Sequence, residues 1–149
     1  MILSRASQYA IQAVILMAMQ PQGTFVLNRD LAEQLNVPAP YLAKVLQALV
    51  RGNLLYSSRG RNGGFCLREG VEKVDLMQIL LHLEGPQFTD ACLLGLKECT
   101  DETACPIHKQ WKPIKHKLAR VLRTETPGKL ARAVKTGKYR LADLPMSML

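Results

Sequence analysis

Residues 28–68 read NRDLAEQLNVPAPYLAKVLQALVRGNLLYSSRGRNGGFCLR, and this stretch decides the fold. In residues 29–35, Leu31, Ala32 and Leu35 recur at the spacing of one helix face, and Asn28 before them suits an N-cap, whose side-chain oxygen accepts an orphan amide of the first turn. Asn36 is a natural stop, because asparagine tolerates the left-handed backbone. Pro40 fits the first position of a second helix that runs to Arg51, carries Leu42, Val45, Leu46 and Leu49 on one stripe, and ends at Gly52. Two short helices joined at Asn36-Val37-Pro38 make a helix-turn-helix unit, a device that places its second helix in a major groove.

The segments 54–58 and 65–68 then read as two strands around Arg59-Gly60-Arg61-Asn62-Gly63-Gly64. Glycines permit the tight hairpin, and two arginines lead from its tip. A solvated turn is the plain account, but it has no need of two cations. An arginine at a hairpin tip can enter a narrow minor groove, where the negative potential is enhanced. Tyr41, Lys44 and Gln47, on the exposed side of the second helix, and Arg59 and Arg61, in the hairpin, are therefore the candidate DNA contacts.

Upstream, Ser4 caps a mostly buried helix from Arg5 to about Gln20, whose polar strip is only Ser7, Gln8 and Gln12, and Phe25-Val26-Leu27 reads as a short extended piece. Downstream, Asp75 and Gln78 have capping-box spacing ahead of a helix through Leu83 that stops at Gly85-Pro86. Ile107, Trp111, Ile114, Leu118, Val121 and Leu122 form a seam suited to packing against another helix, with Pro113 expected to kink or interrupt it. Lys109, Lys112, Lys115, Lys117, Arg120 and Arg123 lie off that seam and read as a solvated face. From Pro127 onward the chain reads as loosely ordered. The fold class is mostly α with a small β-hairpin wing: a winged helix-turn-helix domain over 1–86, a cysteine-bearing loop over 87–105, a long C-terminal dimerisation helix over 106–126, and a tail over 127–149.

Composition agrees. The chain has 149 residues, 48% hydrophobic and 21% charged, which suits one globular domain and excludes disordered and collagen-like classes. Twenty Lys+Arg against twelve Asp+Glu leave a net charge of +8, favouring a polyanionic partner. The longest uncharged stretch, residues 6–28, is interrupted by glutamines and broken at Pro21 and Gly23, so it reads as no membrane span. No small-x-small cleavage site follows Met19, and the expected location is cytoplasmic.

Cys92, Cys99, Cys105 and His108 follow one another at gaps of six, five and two residues. Three sulfurs and an imidazole suit zinc or iron-sulfur and poorly suit oxygen-preferring cations. Structural zinc sites usually pair cysteines across two to four residues, so the spacing favours an iron-sulfur cluster. Cys105-Pro106 also reads as a helix start, with Pro106 at the first helical position and the helix dipole favouring a thiolate. Cys66 alternates between Phe65 and Leu67 and reads as a small apolar filler, His82 and His116 as ordinary polar positions, and Trp111 as a core or dimer contact. An enzyme is not expected. The loop offers no acid-base residue beyond Glu98, Asp101 and Glu102, and no substrate-pocket signature is present.

Leu3-Ser4-Arg5 to Tyr9-Ala10, Pro40-Tyr41-Leu42, the wing through Phe65, Glu84-Gly85-Pro86 and Cys105-Pro106-Ile107-His108 to Trp111 stand together in one order. Over residues 1–123 the chain thereby resembles the Rrf-two family of bacterial winged-helix regulators. The resemblance implies a homodimer joined through the long C-terminal helix, double-stranded DNA with palindromic operators as partner, and a 2Fe-2S or 4Fe-4S cluster on Cys92, Cys99 and Cys105 that alters DNA binding. It leaves the fourth ligand between His108 and an acidic position of the partner's first helix, matched here by Gln8. An amide is a poor iron ligand, which favours His108. The first cysteine gap is one residue longer than is common in the family. The expected function is a transcriptional regulator whose cluster senses iron-sulfur status, oxidative stress or nitric oxide. The alternative is a cluster-free regulator that senses through its thiols or a partner protein.

Overall fold

A computed structural model describes residues 3–141. Its helices are α1 (Arg5–Ala18), α2 (Asn28–Leu35), α3 (Ala39–Arg51), α4 (Leu76–Glu84), α5 (His108–Thr124) and α6 (Pro127–Lys135), and strands β1 (Leu55–Ser58) and β2 (Gly64–Leu67) form the hairpin. No helix among the described residues is long and apolar enough to cross a membrane.

Ser4 Oγ accepts the Ser7 amide at 3.1 Å and caps α1 as expected, while the Ser4 amide donates to Glu84 Oε1 at 2.8 Å and ties the start of α1 to the end of α4. Asn36 closes α2 in the left-handed region at φ 54°. Asn28 does not cap α2, as was expected of it: it lies within the helix, behind Leu27, and its Nδ2 donates to the Ala39 carbonyl at 2.8 Å. The amide thereby staples α2 to the start of α3. Gly52 ends α3 at an ordinary φ of −80°, and the left-handed residue is Asn53, at φ 58°.

Leu31, Leu42, Leu46, Leu49, Leu55, Ile79 and Leu80 are essentially inaccessible and join α2, α3, β1 and α4 in one core with Ala10, Ala13 and Val14 of α1. Each such aliphatic side chain contributes roughly 1.5–3 kcal/mol by leaving water. The hairpin pairs Leu55 with Leu67, Tyr56 with Cys66, Ser57 with Phe65 and Ser58 with Gly64. Val26 adds an antiparallel bridge to Phe65, its amide donating at 2.8 Å and its carbonyl accepting at 2.9 Å, so the short extended piece docks on the wing. Gly64 allows this: at φ +112° a Cβ would stand 2.0 Å from the Val26 carbonyl oxygen.

Three C-terminal expectations change. Helix α5 starts at His108, not Pro106, so Cys105 and Pro106 lie in the preceding turn, where the His108 amide donates to the Cys105 carbonyl at 3.0 Å. The helix continues through Pro113 without interruption. Pro113 and Lys109 are both exposed, so water can satisfy the carbonyl that the missing N–H leaves free. Finally, residues 127–135 are helical rather than loose: Thr126 Oγ1 accepts the Lys129 amide at 3.2 Å, Pro127 takes the first turn, and Ala131 and Val134 pack with Ile15 of α1. The remainder of the expected tail, from 142 onward, lies outside the described residues.

Along α5 the apolar seam divides. Leu122 is buried and Leu118 packs on the core, whereas Ile114 and Val121 are 51% and 55% exposed. The Leu76 amide donates to the Glu125 carbonyl at 3.0 Å, fastening the end of α5 to the start of α4.

Candidate nucleic-acid interface and cysteine loop

On α3, burying Leu42, Val45, Leu46 and Leu49 turns Tyr41, Lys44 and Gln47 outward. Tyr41 is 39% exposed and meets the ring of Tyr9 edge-on, at 6.1 Å between centroids and 88° between planes, so α1 braces it. Between α3 and the wing lies an open groove of about 800 Å³, lined among others by Arg29, Gln47, Ser58, Arg59, Arg61 and Phe65. The structure thus brings Gln47 together with both wing arginines, and places Lys44 on the same exposed side of α3. Arg29 was missed. Its signal was present in the sequence: a cation in the first turn of a helix, where the dipole favours an acid, invites a function other than helix stability. Arg68 stays out of the groove, with its guanidinium 4.3 Å over the Tyr56 ring.

The cysteine loop, which runs between α4 and α5, contains no regular helix or strand. Polar pins from α5 hold it: Trp111 Nε1 donates to the Ala91 carbonyl at 3.0 Å, and Lys115 Nζ to the Asp90 carbonyl at 3.3 Å. Trp111 therefore anchors the loop, and Lys115, only 8% exposed, is no part of a solvated face.

Within the loop the expected ligands fall into two pairs. Cys92 Sγ and Cys105 Sγ stand 3.8 Å apart, and Cys99 Sγ stands 3.4 Å from His108 Nδ1. Among the described residues, no three Cys, His, Asp or Glu side chains converge as a single metal ion would require. Gln8 lies on α1 with its Nε2 donating to the Leu3 carbonyl at 3.4 Å, and no hydrogen bond links it to the loop. Lys115 Nζ also reaches Cys99 Sγ, at 3.3 Å.

His108 is buried, and its Nε2 lies 2.9 Å from Asp101 Oδ1, which Lys112 Nζ holds through both carboxylate oxygens at 2.9 and 2.7 Å. A carboxylate only accepts, so Nε2 donates to Asp101, and Nδ1 is the ring nitrogen that faces Cys99. Lys112 and His108 hold the Asp101 pKa below the usual carboxylate range. Backbone amides of Leu96, Leu94 and Gly95, with the Cys105 thiol, lower the Cys92 pKa against the opposing effect of burial. Cys66 is the contrast: buried in β2, its pKa is raised by that burial, as befits the apolar filler expected.

Comparison with known proteins agrees with the architecture. The model of the Rrf2 family, described as an iron-dependent transcriptional regulator, matches residues 3–133. A protein of Aquifex aeolicus that carries the name of an HTH-type transcriptional regulator is 28% identical over 120 residues, covering 79% of this chain and 83% of its own. Among solved structures, CymR, the global cysteine regulator of B. subtilis, superposes with a TM-score of 0.73 at 22% identity, covering 88% of this chain and 96% of that one. IscR of T. potens follows at TM-score 0.70 and 22% identity, covering 93% and 91%. With its winged helix-turn-helix in place and relatives that are regulators rather than enzymes, the chain belongs to the Rrf2 family of transcriptional regulators.

Proposed function

We propose that the chain is a homodimeric DNA-binding regulator that grips a palindromic operator through α3 and the wing, and whose cysteine loop senses by holding an iron-sulfur cluster. The observation that carries the DNA half is the groove in which Gln47 of α3 faces Arg29, Arg59 and Arg61. Cations set around a groove attract phosphates and release counterions, while an amide on the recognition helix can read a base edge. The exposed Ile114 and Val121 give α5 an apolar face for the second subunit. In this division residues 1–86 bind DNA, 87–105 sense and 106–126 dimerise.

The donor set fits the cluster. Two thiolates on one tetrahedral metal with bonds of about 2.3 Å lie about 3.8 Å apart, and Cys92 and Cys105 already have that separation. His108 has the arrangement common in metal-ligating histidines, one nitrogen bound by a carboxylate and the other turned toward a cysteine sulfur. Cys92, Cys99, Cys105 and His108 would hold the group, whether 2Fe-2S or 4Fe-4S. When bound, it supplies a centre whose charge and integrity respond to oxidants, nitric oxide or iron-sulfur supply.

A second reading, thiol sensing without a cluster, draws on the same pair: sulfurs 3.8 Å apart can close a disulfide by a small loop movement. Anaerobic purification with absorption spectra, iron and sulfide counting, and operator binding by each form decides between them. The proposal requires coloured protein with stoichiometric iron. Colourless protein with all four thiols titratable moves the sensing role to the cysteines.

A further inference from the structure

We infer that Lys115 is a built-in countercharge for the group held by the cysteine loop, and that it raises that group's reduction potential. The inference rests on the iron-sulfur reading above. Lys115 lies near the middle of the seam-bearing helix α5, yet only 8% of it is exposed. Its Nζ meets the Asp90 carbonyl at 3.3 Å and Cys99 Sγ at 3.3 Å. Taking an ammonium out of water is costly unless a negative partner is beside it. A single carbonyl is a weak one, and the carboxylate of Asp101 is already held by Lys112 and His108. The remaining partner is the sulfur of Cys99. The ammonium is thus stationed where negative charge gathers when the thiols become ligands.

One-electron reduction adds a further negative charge to a bound cluster, and a nearby cation or an N–H donor to a ligand sulfur stabilises the reduced form more than the oxidised one. Lys115 supplies both through one atom. It acts on the group through Cys99 and is a positioning residue.

The test is an anaerobic redox titration of the reconstituted full-length protein, with dye mediators and a chemical reductant as electron donor, followed by absorption. Wild type, Lys115→Met, Lys115→Gln, Lys115→Arg and, as an exposed control on the same helix, Lys117→Met are compared at matched iron content. A shift to more negative potential in Lys115→Met and Lys115→Gln, reversed in Lys115→Arg and absent in Lys117→Met, is the expected result. The glutamine variant keeps a donor for the Asp90 carbonyl without the charge, so it carries the test even if the methionine variant misfolds. Equal potentials in wild type and Lys115→Gln overturn the inference while leaving the cluster reading intact. Wild-type protein that takes up no iron and sulfide overturns both.

Discussion

The winged-helix half and the cysteine loop are held together by different forces. In the first, aliphatic stripes on α1 to α4 close on one another until Leu42, Leu46, Leu49 and Leu80 have no exposed surface. The loop buries Cys92 but leaves Leu93, Leu94 and Leu96 more than half exposed, and its pins run from Trp111, Lys115 and the His108–Asp101–Lys112 chain. Burial is non-directional and tolerates signal-dependent change poorly, because every core side chain is shared among several elements. Hydrogen-bonded pins can be exchanged for ligand bonds at modest net cost. If the loop senses as proposed, this contrast pairs a fixed half with one that can rearrange.

The sharpest way to break this contrast is to remove a sulfur. Cys92→Ala, Cys99→Ala and Cys105→Ala should each abolish stoichiometric iron binding, with little change in the thermal unfolding of the winged helix, whereas Cys66→Ala keeps its iron. Wild-type iron content in all three loop variants would exclude the cluster. Next in size is the reverse experiment on the core: Leu46→Ala should cost about 2–5 kcal/mol in denaturant unfolding, since a fully buried leucine leaves a cavity. A cost below 1 kcal/mol would mean that α3 is not clamped as described. Trp111→Phe removes the indole donor to Ala91 and should cost about 0.5–1.5 kcal/mol while loosening the loop, seen as faster amide exchange there than in α3.

Arg59→Ala and Arg61→Ala should leave folding and iron content alone and lower the salt slope of operator binding by about one unit each if each neutralises a phosphate. Unchanged affinity and slope in both would reduce the wing to a turn. The smallest effect is expected at Glu84. Burial raises its pKa, but the Ser7 and Ser4 side chains and the Ser4 amide outweigh that and bring the carboxyl below its ordinary range. A lowered folded-state pKa gives stability that is present above the unfolded-state value and lost as pH falls through the folded one. Glu84→Gln should therefore be slightly less stable near neutrality and match wild type at strongly acid pH, a convergence that melting curves at several pH values can detect.

What the sequence disclosed, and what it withheld, follows the same divide. The stripe on α3, the left-handed Asn36 and the glycine-rich hairpin are local signals, and the structure keeps them within a residue or two. Asn28 was misjudged because an asparagine before a helix can cap it or reach beyond it, and only the position of Ala39 decides. Residues 127–135 were read as loose because Pro127 and Gly128 mark breaks, although Thr126-Pro127 is equally a helix start; the packing of Ala131 and Val134 on Ile15 settles the matter from far away in the chain. The cysteines were legible as a set, but not as pairs, and Lys115 was one cation among several. A lysine's burial depends on what folds over it, and here that is a loop without periodicity of its own.

Gly64 gives the DNA half a property that no single side chain has. Because its missing Cβ lets the Val26 backbone lock onto Phe65, the segment leading into α2 and the turn end of the wing are one piece. The wing is then not an arm that feels for the duplex. If the groove takes DNA as proposed, the wing is the fixed jaw of a calliper whose opening Arg29, Arg59 and Arg61 line. A calliper of set width does not adapt to DNA; the DNA bears the cost of fitting it. Sites whose grooves already have the right width bind at less deformation cost, so part of the operator preference should lie at positions that no side chain touches.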